Sequence, residues 1–424
     1  MIEADPPPVR DLAVYIHWPY CARICPYCDF NVVRDRGQAE QAALARAIAQ
    51  DLEGQAALTG PRRLTSIFFG GGTPSLMNPD WAAAIIEAAR RLWTPAEDLE
   101  ISLEANPTDA EAGRFAAFAA AGVNRLSLGV QALDDAALRF LGRNHGADEA
   151  RRAAALAGRL FPRLSVDMIY ARPGQDAGAW AAELRRAVDL GAEHLSPYQL
   201  TIEPGTAFDR AVGRRAFAPP GDELAASLYE TTQTVLEAAG FDAYEVSNHA
   251  RGISARSRHN LAYWTGQDYV GAGPGAHGRL SFPPRSSPRK GGPRFFVANQ
   301  AGFRKSPGPR FRGDERTNRG RRATVAVAKP PAYVERVTQT GLGFETDELL
   351  TARDAAVERL LLGLRIDAGV RWDELAALGL SVGSAVVGEL RNQGLIAANA
   401  EALAATRAGR AVLDGVVRAL AAAP

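Results

Sequence analysis

Cysteine is nearly absent from this chain: 424 residues hold three, all between Cys21 and Cys28. An odd number of closely spaced thiols with no partner elsewhere excludes a disulfide framework and reads as an intracellular pattern. Long apolar runs are missing too, since no uncharged stretch reaches the roughly 20 residues needed to cross a bilayer. The acidic, Pro-rich start, Met1 to Pro8, lacks the basic region and apolar core of an export signal. The sequence therefore predicts a soluble, cytoplasmic chain without a transmembrane segment. Net charge is also small: 49 Lys/Arg against 48 Asp/Glu give +1, which by itself implies no polyanionic partner. The length allows roughly two to three domains.

What is there is concentrated in one run, His17-Trp18-Pro19-Tyr20-Cys21-Ala22-Arg23-Ile24-Cys25-Pro26-Tyr27-Cys28. Three thiolates spaced x3 then x2 can each take one iron of a cubane [4Fe-4S] cluster, which as a pure electron carrier normally has four cysteines, so the fourth iron would stay open. A Cys3His zinc site using His17 competes for the same residues, although the usual C-x2-C pairs are missing. The cysteine spacing resembles that of the radical S-adenosylmethionine (SAM) enzymes, in which the open iron chelates the amino and carboxylate groups of SAM.

From residue 11 to about 200, short apolar strands alternate with Ala-rich amphipathic stretches, the pattern of βα units in a parallel sheet. Strands are predicted at 12–17, 64–69, 99–104, 123–128, 164–169 and 194–199, with helical returns such as 38–58, 80–92 and 177–190. The polar candidates fall in phase at the carboxyl ends of these strands, where β/α barrels gather their active sites. The cysteine loop follows the first strand, Gly70-Gly71-Gly72-Thr73-Pro74 the second, Glu104-Ala105-Asn106-Pro107 the third and Gln131 the fourth; Asp167 lies in the fifth and Tyr198-Gln199 closes the sixth. A glycine triplet alone is usually a turn and a lone glutamate often a helix cap. Six candidates in phase favour a common site and weigh against zinc.

Each residue type suits SAM. Glycines let the backbone approach a ligand closely, ionised Glu104 and Asp167 accept from ribose hydroxyls, and Gln131 both donates and accepts. The planar fork of Arg143 matches the methionyl carboxylate, and Tyr15 is expected beside the sulfonium. Phe69 to Ser75, Glu104 to Pro107, Leu126 to Gln131 and Tyr198 to Thr206 together resemble the oxygen-independent coproporphyrinogen III oxidase family over about residues 12–280. The resemblance implies a partial (β/α)6 radical SAM barrel, SAM ligands at Tyr15, Gly71, Gly72, Thr73, Glu104, Gln131, Arg143 and Asp167, and cluster ligands at Cys21, Cys25 and Cys28. It also implies a reductant for the cluster and cleavage of SAM to a 5′-deoxyadenosyl radical.

Three features separate two branches of that family. Oxidases carry a further cysteine two residues after the third, where this chain has Phe30, and they have a longer arm before the cluster. Arg258-His259-Asn260-Leu261-Ala262-Tyr263-Trp264 is similar to the H-N-x-x-Y-W signature of the HemW-type haem chaperones. That branch implies binding of haem and its transfer to an acceptor protein such as a respiratory enzyme. Porphyrinogen oxidation is the alternative, and a radical SAM reaction on another substrate a third reading. Imidazole is a common axial ligand of haem iron, which makes His259 the haem-binding candidate, ahead of His277 and His249; a lone histidine is more often a hydrogen-bonded structural residue.

The chain divides by sequence into a barrel (1–205), an accessory region completing the core (206–280), a basic insert (281–330) and a helical, winged-helix-like C-terminal domain (331–424). The helix expected at 382–392 carries one Arg and one Glu, too little positive charge for phosphate contacts, so no nucleic-acid partner is expected and the domain reads as a packing module on the open side of the barrel. The insert holds 13 Lys/Arg against 2 Asp/Glu, leaving 36 against 46 elsewhere. Its Pro, Gly and Arg content lacks helical or strand period. It reads either as a genuine insertion or as a local shift of reading frame, which intact mass of the natively expressed protein decides.

Overall fold

A computed structural model describes residues 9–35, 37–281 and 320–422. Six parallel strands form its spine: β1 (Asp11–Trp18), β2 (Arg63–Gly71), β3 (Thr94–Ala105), β4 (Arg125–Gln131), β5 (Arg163–Tyr170) and β6 (His194–Gln199). They pair in chain order, each with the next. In β1, Leu12, Val14, Ile16 and Trp18 are buried against the outer helices, while Ala13, Tyr15 and His17 alternate onto the inner face. With both faces covered, the strand reads as a nearly continuous apolar run.

Helices Gln38–Thr59, Pro79–Leu92, Phe115–Ala120, Ala147–Leu160 and Ala177–Val188 return the chain between strands. Local chemistry starts several of them. The Asn78 side chain accepts from the Asp80 N–H ahead of Pro79, and Asp176 accepts from the Ala179 N–H. The predicted barrel is thus present, with strand bounds within a few residues of expectation.

The sheet extends further than six strands. After the short strands β7 (Asp242–Ala243) and β8 (His249–Ala250), β9 (Asp268–Ala272) lies parallel to β1 on its free edge. Antiparallel strands β10 (His277–Ser281), β11 (Arg321–Ala326) and β12 (Phe344–Leu349) follow outward, giving the order β12-β11-β10-β9-β1-β2-β3-β4-β5-β6-β8-β7.

This corrects the expected boundaries of the basic insert. Arg321 and Arg322 belong to a strand, and their charge is neutralised there: Arg321 pairs with Glu358 at 3.2 Å and Arg322 with Asp347 at 3.0 Å. Residues 282–319, which carry most of the predicted insert, lie outside the described residues. The C-terminal boundary also moves. Helix Pro330–Thr340 belongs to the barrel body, because the Tyr333 hydroxyl donates to Asp51 at 2.7 Å and accepts from the Gly273 N–H at 2.9 Å.

Beyond β12, helices Ala352–Gly363, Ala385–Asn392 and Leu413–Ala421 enclose a separate apolar core with a three-stranded sheet of Val370–Arg371, Ala402–Ala405 and Ile396–Ala398. This unit docks on the segment between β7 and β9. Arg365 pairs with the buried Glu245 at 2.6 Å, and Arg359 donates to the Trp264 carbonyl at 2.9 Å.

Candidate active site

The carboxyl ends of the strands surround a cavity of about 670 Å³, inside the roughly 300–1,000 Å³ range of ligand pockets. Cys21, Cys25, Cys28, Gly71, Gly72, Thr73, Glu104, Gln131, Arg143 and Asp167 all line it. Two expected residues do not. Tyr15 lies one layer below, its hydroxyl 3.0 Å from His17 Nδ1 and its ring beneath Gly70.

His259 is deeper still and 1% exposed. Its Nδ1 meets Ser66 Oγ at 3.1 Å, its Nε2 meets the Tyr263 hydroxyl at 2.7 Å, and its ring stacks on Phe68 with centroids 4.7 Å apart. This placement sets His259, expected as the haem-binding candidate, apart from the cavity. Both ring nitrogens are occupied, and the His-Asn motif builds the barrel floor. Of the other two histidines, His249 is buried with Nε2 3.3 Å from Gln233 Oε1, whereas His277 is exposed at the start of β10.

The cysteine loop is fixed at both ends. Strand residues Tyr20–Cys21 pair in parallel with Val33–Arg34, and the Asp35 N–H donates to the Cys21 carbonyl at 3.1 Å. His17 Nε2 faces the Asn31 carbonyl at 2.9 Å, so that nitrogen carries the hydrogen and Nδ1 accepts from Tyr15. Asn31 Nδ2 in turn donates to the carbonyls of Pro274 at 2.8 Å and Ala328 at 2.9 Å. Neither His17 nor any other set of three or more His, Cys, Asp or Glu closes into a single-ion cage among the described residues. That disfavours zinc, which needs its thiolates about 2.3 Å from one point; in a cubane each thiolate meets its own iron.

Glycine is required in the second loop. Gly71 has φ 106°, and a Cβ on Gly72 would lie 2.7 Å from the Pro19 carbonyl group. The Gly71 N–H donates to Glu104 Oε2 at 3.1 Å, the Gly72 N–H to the Trp18 carbonyl at 2.7 Å and the Thr73 N–H to the Tyr20 carbonyl at 2.9 Å. These donors are committed within the protein, so a ligand meets this loop through acceptors.

The carboxylates are electrostatically loaded. Burial pushes Glu104 up to about 8, reinforced by the charge of Asp167 and partly offset by the Gly71 N–H. Burial likewise raises Asp167 to about 6, against hydrogen bonds from Ser196 and Ser127 and the charge of Arg143. Burial also raises Cys21, and takes Cys28 up to about 11, so cluster assembly must release these protons.

Two buried polar atoms on lining residues have no protein partner, the acceptor Gln131 Oε1 and the donor Arg143 Nε. Gln131 is held in the left-handed region at φ 67°, a conformation costing about 1–3 kcal/mol that collects at functional sites. A donor and an acceptor left bare beside two hydroxyl-accepting carboxylates fit an amino-acid nucleoside such as SAM. Asn106 also lines the cavity, a site residue that sequence reasoning quoted within Glu104-Ala105-Asn106-Pro107 without giving it a role.

The comparisons agree with this geometry. Residues 15–187 match the model of the Radical SAM superfamily and residues 350–412 that of the HemN C-terminal domain. The fold is similar to that of a solved Escherichia coli coproporphyrinogen III oxidase, HemN, with TM-score 0.73 at 19% identity, covering 98% of this chain and 91% of that one. A barrel of this topology with three cysteines after its first strand is a radical SAM protein.

Two relatives narrow the family. The bovine mitochondrial radical S-adenosyl methionine domain-containing protein 1 is 38% identical over 99% of this chain and 89% of its own length. The Escherichia coli heme chaperone HemW is 41% identical over 64% of this chain and 71% of its own. The chain belongs to this family, that of the HemW-type haem chaperones within the radical SAM proteins.

Proposed function

We propose that this protein is a haem chaperone on a radical SAM core: it binds a [4Fe-4S] cluster through Cys21, Cys25 and Cys28, binds SAM, and carries haem to an acceptor protein such as a respiratory enzyme. The observation that carries the reading is Phe30. Where oxidases of the resembling family have a further cysteine, this side chain stands 60% exposed on the cavity-lining cysteine loop. Ile24 and Tyr198, also exposed and lining the cavity, extend an apolar rim suited to a porphyrin face.

Cluster and SAM together supply one-electron reductive chemistry at a sulfonium, with the electron taken from an external reductant. The chain's own residues do the rest. Arg143 offers Nε to a carboxylate, Gln131 Oε1 accepts from an ammonium, and Glu104 and Asp167 accept from ribose hydroxyls. Burial raises the proton affinity of Glu104, so a ligand whose hydroxyls it accepts from draws the carboxyl toward its ionised form. The stacked floor of Tyr15, Phe68 and His259 closes the barrel below the site. The unpaired thiols support a reducing compartment, the cytoplasm.

The test is anaerobic reconstitution of the cluster, then titration with haem and, separately, incubation with coproporphyrinogen III, SAM and a reductant. Stoichiometric haem binding without protoporphyrinogen formation is expected. Turnover of coproporphyrinogen overturns the reading in favour of the oxidase.

A further inference from the structure

Beside the cysteine loop lies a half-buried polar relay centred on Asn106. Its Oδ1 accepts from Arg143 Nη2, and its Nδ2 lies 3.4 Å from Thr73 Oγ1 and 3.3 Å from Glu111 Oε1. The Asn106 backbone N–H donates to Glu111 Oε2 at 2.9 Å, an oxygen that also accepts from Ser75 Oγ. Glu111 is 4% exposed.

The relay ends on sulfur in two places. Arg143 Nη1 donates to Cys25 Sγ at 3.4 Å, and Thr73 Oγ1 donates to Cys21 Sγ at 3.5 Å. One amide thus helps hold two separate donors at two of the three thiol sulfurs, Arg143 Nη2 being shared with the Gly129 carbonyl at 3.1 Å. The amide is the one group that serves here: it must accept from a guanidinium on one side and donate to a hydroxyl and a carboxylate on the other. Hydrogen bonds and positive charge at cluster sulfurs stabilise the reduced state and raise its potential.

We propose that Asn106 and Glu111 are positioning residues that set the reduction potential of the cluster by holding Arg143 and Thr73 on the sulfurs of Cys25 and Cys21. The inference rests on the cluster assignment above. Neither residue touches a thiol, and their effect passes through Arg143 and Thr73 alone.

The experiment is a redox titration of the reconstituted holoprotein followed by electron paramagnetic resonance, with iron and sulfide counted in each sample. Asn106→Leu removes the donor to Thr73 and the acceptor of Arg143 without adding charge, and Glu111→Asp retracts the anchoring carboxylate while keeping its charge. Both are expected to retain wild-type iron content and to shift the oxidised-to-reduced ratio at fixed potential about tenfold toward oxidised, equivalent to about 59 mV for a one-electron couple. Thr73→Val should shift it the same way, and Thr73→Ser, which keeps the hydroxyl, should restore it.

Variants with full clusters and an unchanged midpoint overturn the relay while leaving the cluster assignment standing. A wild-type protein that takes up no cluster overturns both. A structural role alone would change cluster yield or melting temperature without moving the midpoint.

Discussion

The imidazole of His17 lies against the backbone of Gly71: a Cβ at position 71 would sit 2.5 Å from His17 Cε1. The end of β1 that leads into the cysteine loop and the glycine loop are therefore fitted to each other before any ligand arrives.

Gly71→Ala should lower stability by roughly 1–3 kcal/mol, from left-handed strain together with the clash. Adding His17→Ala removes the clash and leaves the strain, so the double variant should recover part of the loss. Thermal melts of the four proteins in a double-mutant cycle measure the coupling; strict additivity would refute the contact.

His259→Ala empties a space between Phe68, Tyr15 and Tyr263 and strands two hydrogen-bonding groups, Ser66 Oγ and the Tyr263 hydroxyl. A loss of about 2–4 kcal/mol is expected from cavity and unsatisfied polar groups. The absorption spectrum of bound haem should stay that of the unaltered protein, because both nitrogens of this ring are already hydrogen-bonded. A changed axial-ligand spectrum would restore His259 as the ligand.

The six-stranded barrel was legible because its strands and helices have distinct periods and its polar residues cluster at strand ends. Ten of the twelve candidate residues line the cavity, and all but Arg143 lie in a strand or in the loop directly after one. The failures have local causes. His259 looks like a ligand in a line of aromatics, and only packing shows those aromatics facing each other. β11 hides within an Arg-rich stretch because Glu358 and Asp347, far along the chain, neutralise its charges. The partnership of Asn106 with Glu111 has no sequence signal beyond a five-residue spacing.

Glu104 makes stability depend on pH. Its folded value of about 8 exceeds the ordinary 4.5, so the folded state holds the proton more tightly. That contribution is fully present below about 4.5 and is lost as pH rises through about 8. Without ligands, Glu104→Gln should melt close to wild type at pH 4.5 and become the more stable by roughly 1–3 kcal/mol at pH 8. A constant difference across that range would contradict the raised value.

Asn31→Ala removes the two hydrogen bonds that tie the cysteine loop to Pro274 and Ala328. Each is worth about 1 kcal/mol. The larger consequence should be kinetic, with iron released to a chelator several times faster than from wild type. Equal release rates would show that the loop is held by its short strand pair alone.

Ser281 and Arg321 are direct register partners on adjacent antiparallel strands. The two points where the described chain leaves and re-enters the sheet are thus neighbours, close enough for a short turn to join them. Closing a longer loop costs only about 0.6 kcal/mol per doubling of length. A short hairpin turn grafted from 281 to 321 should give a protein that assembles its cluster as before, and the same position offers a place to carry foreign cargo.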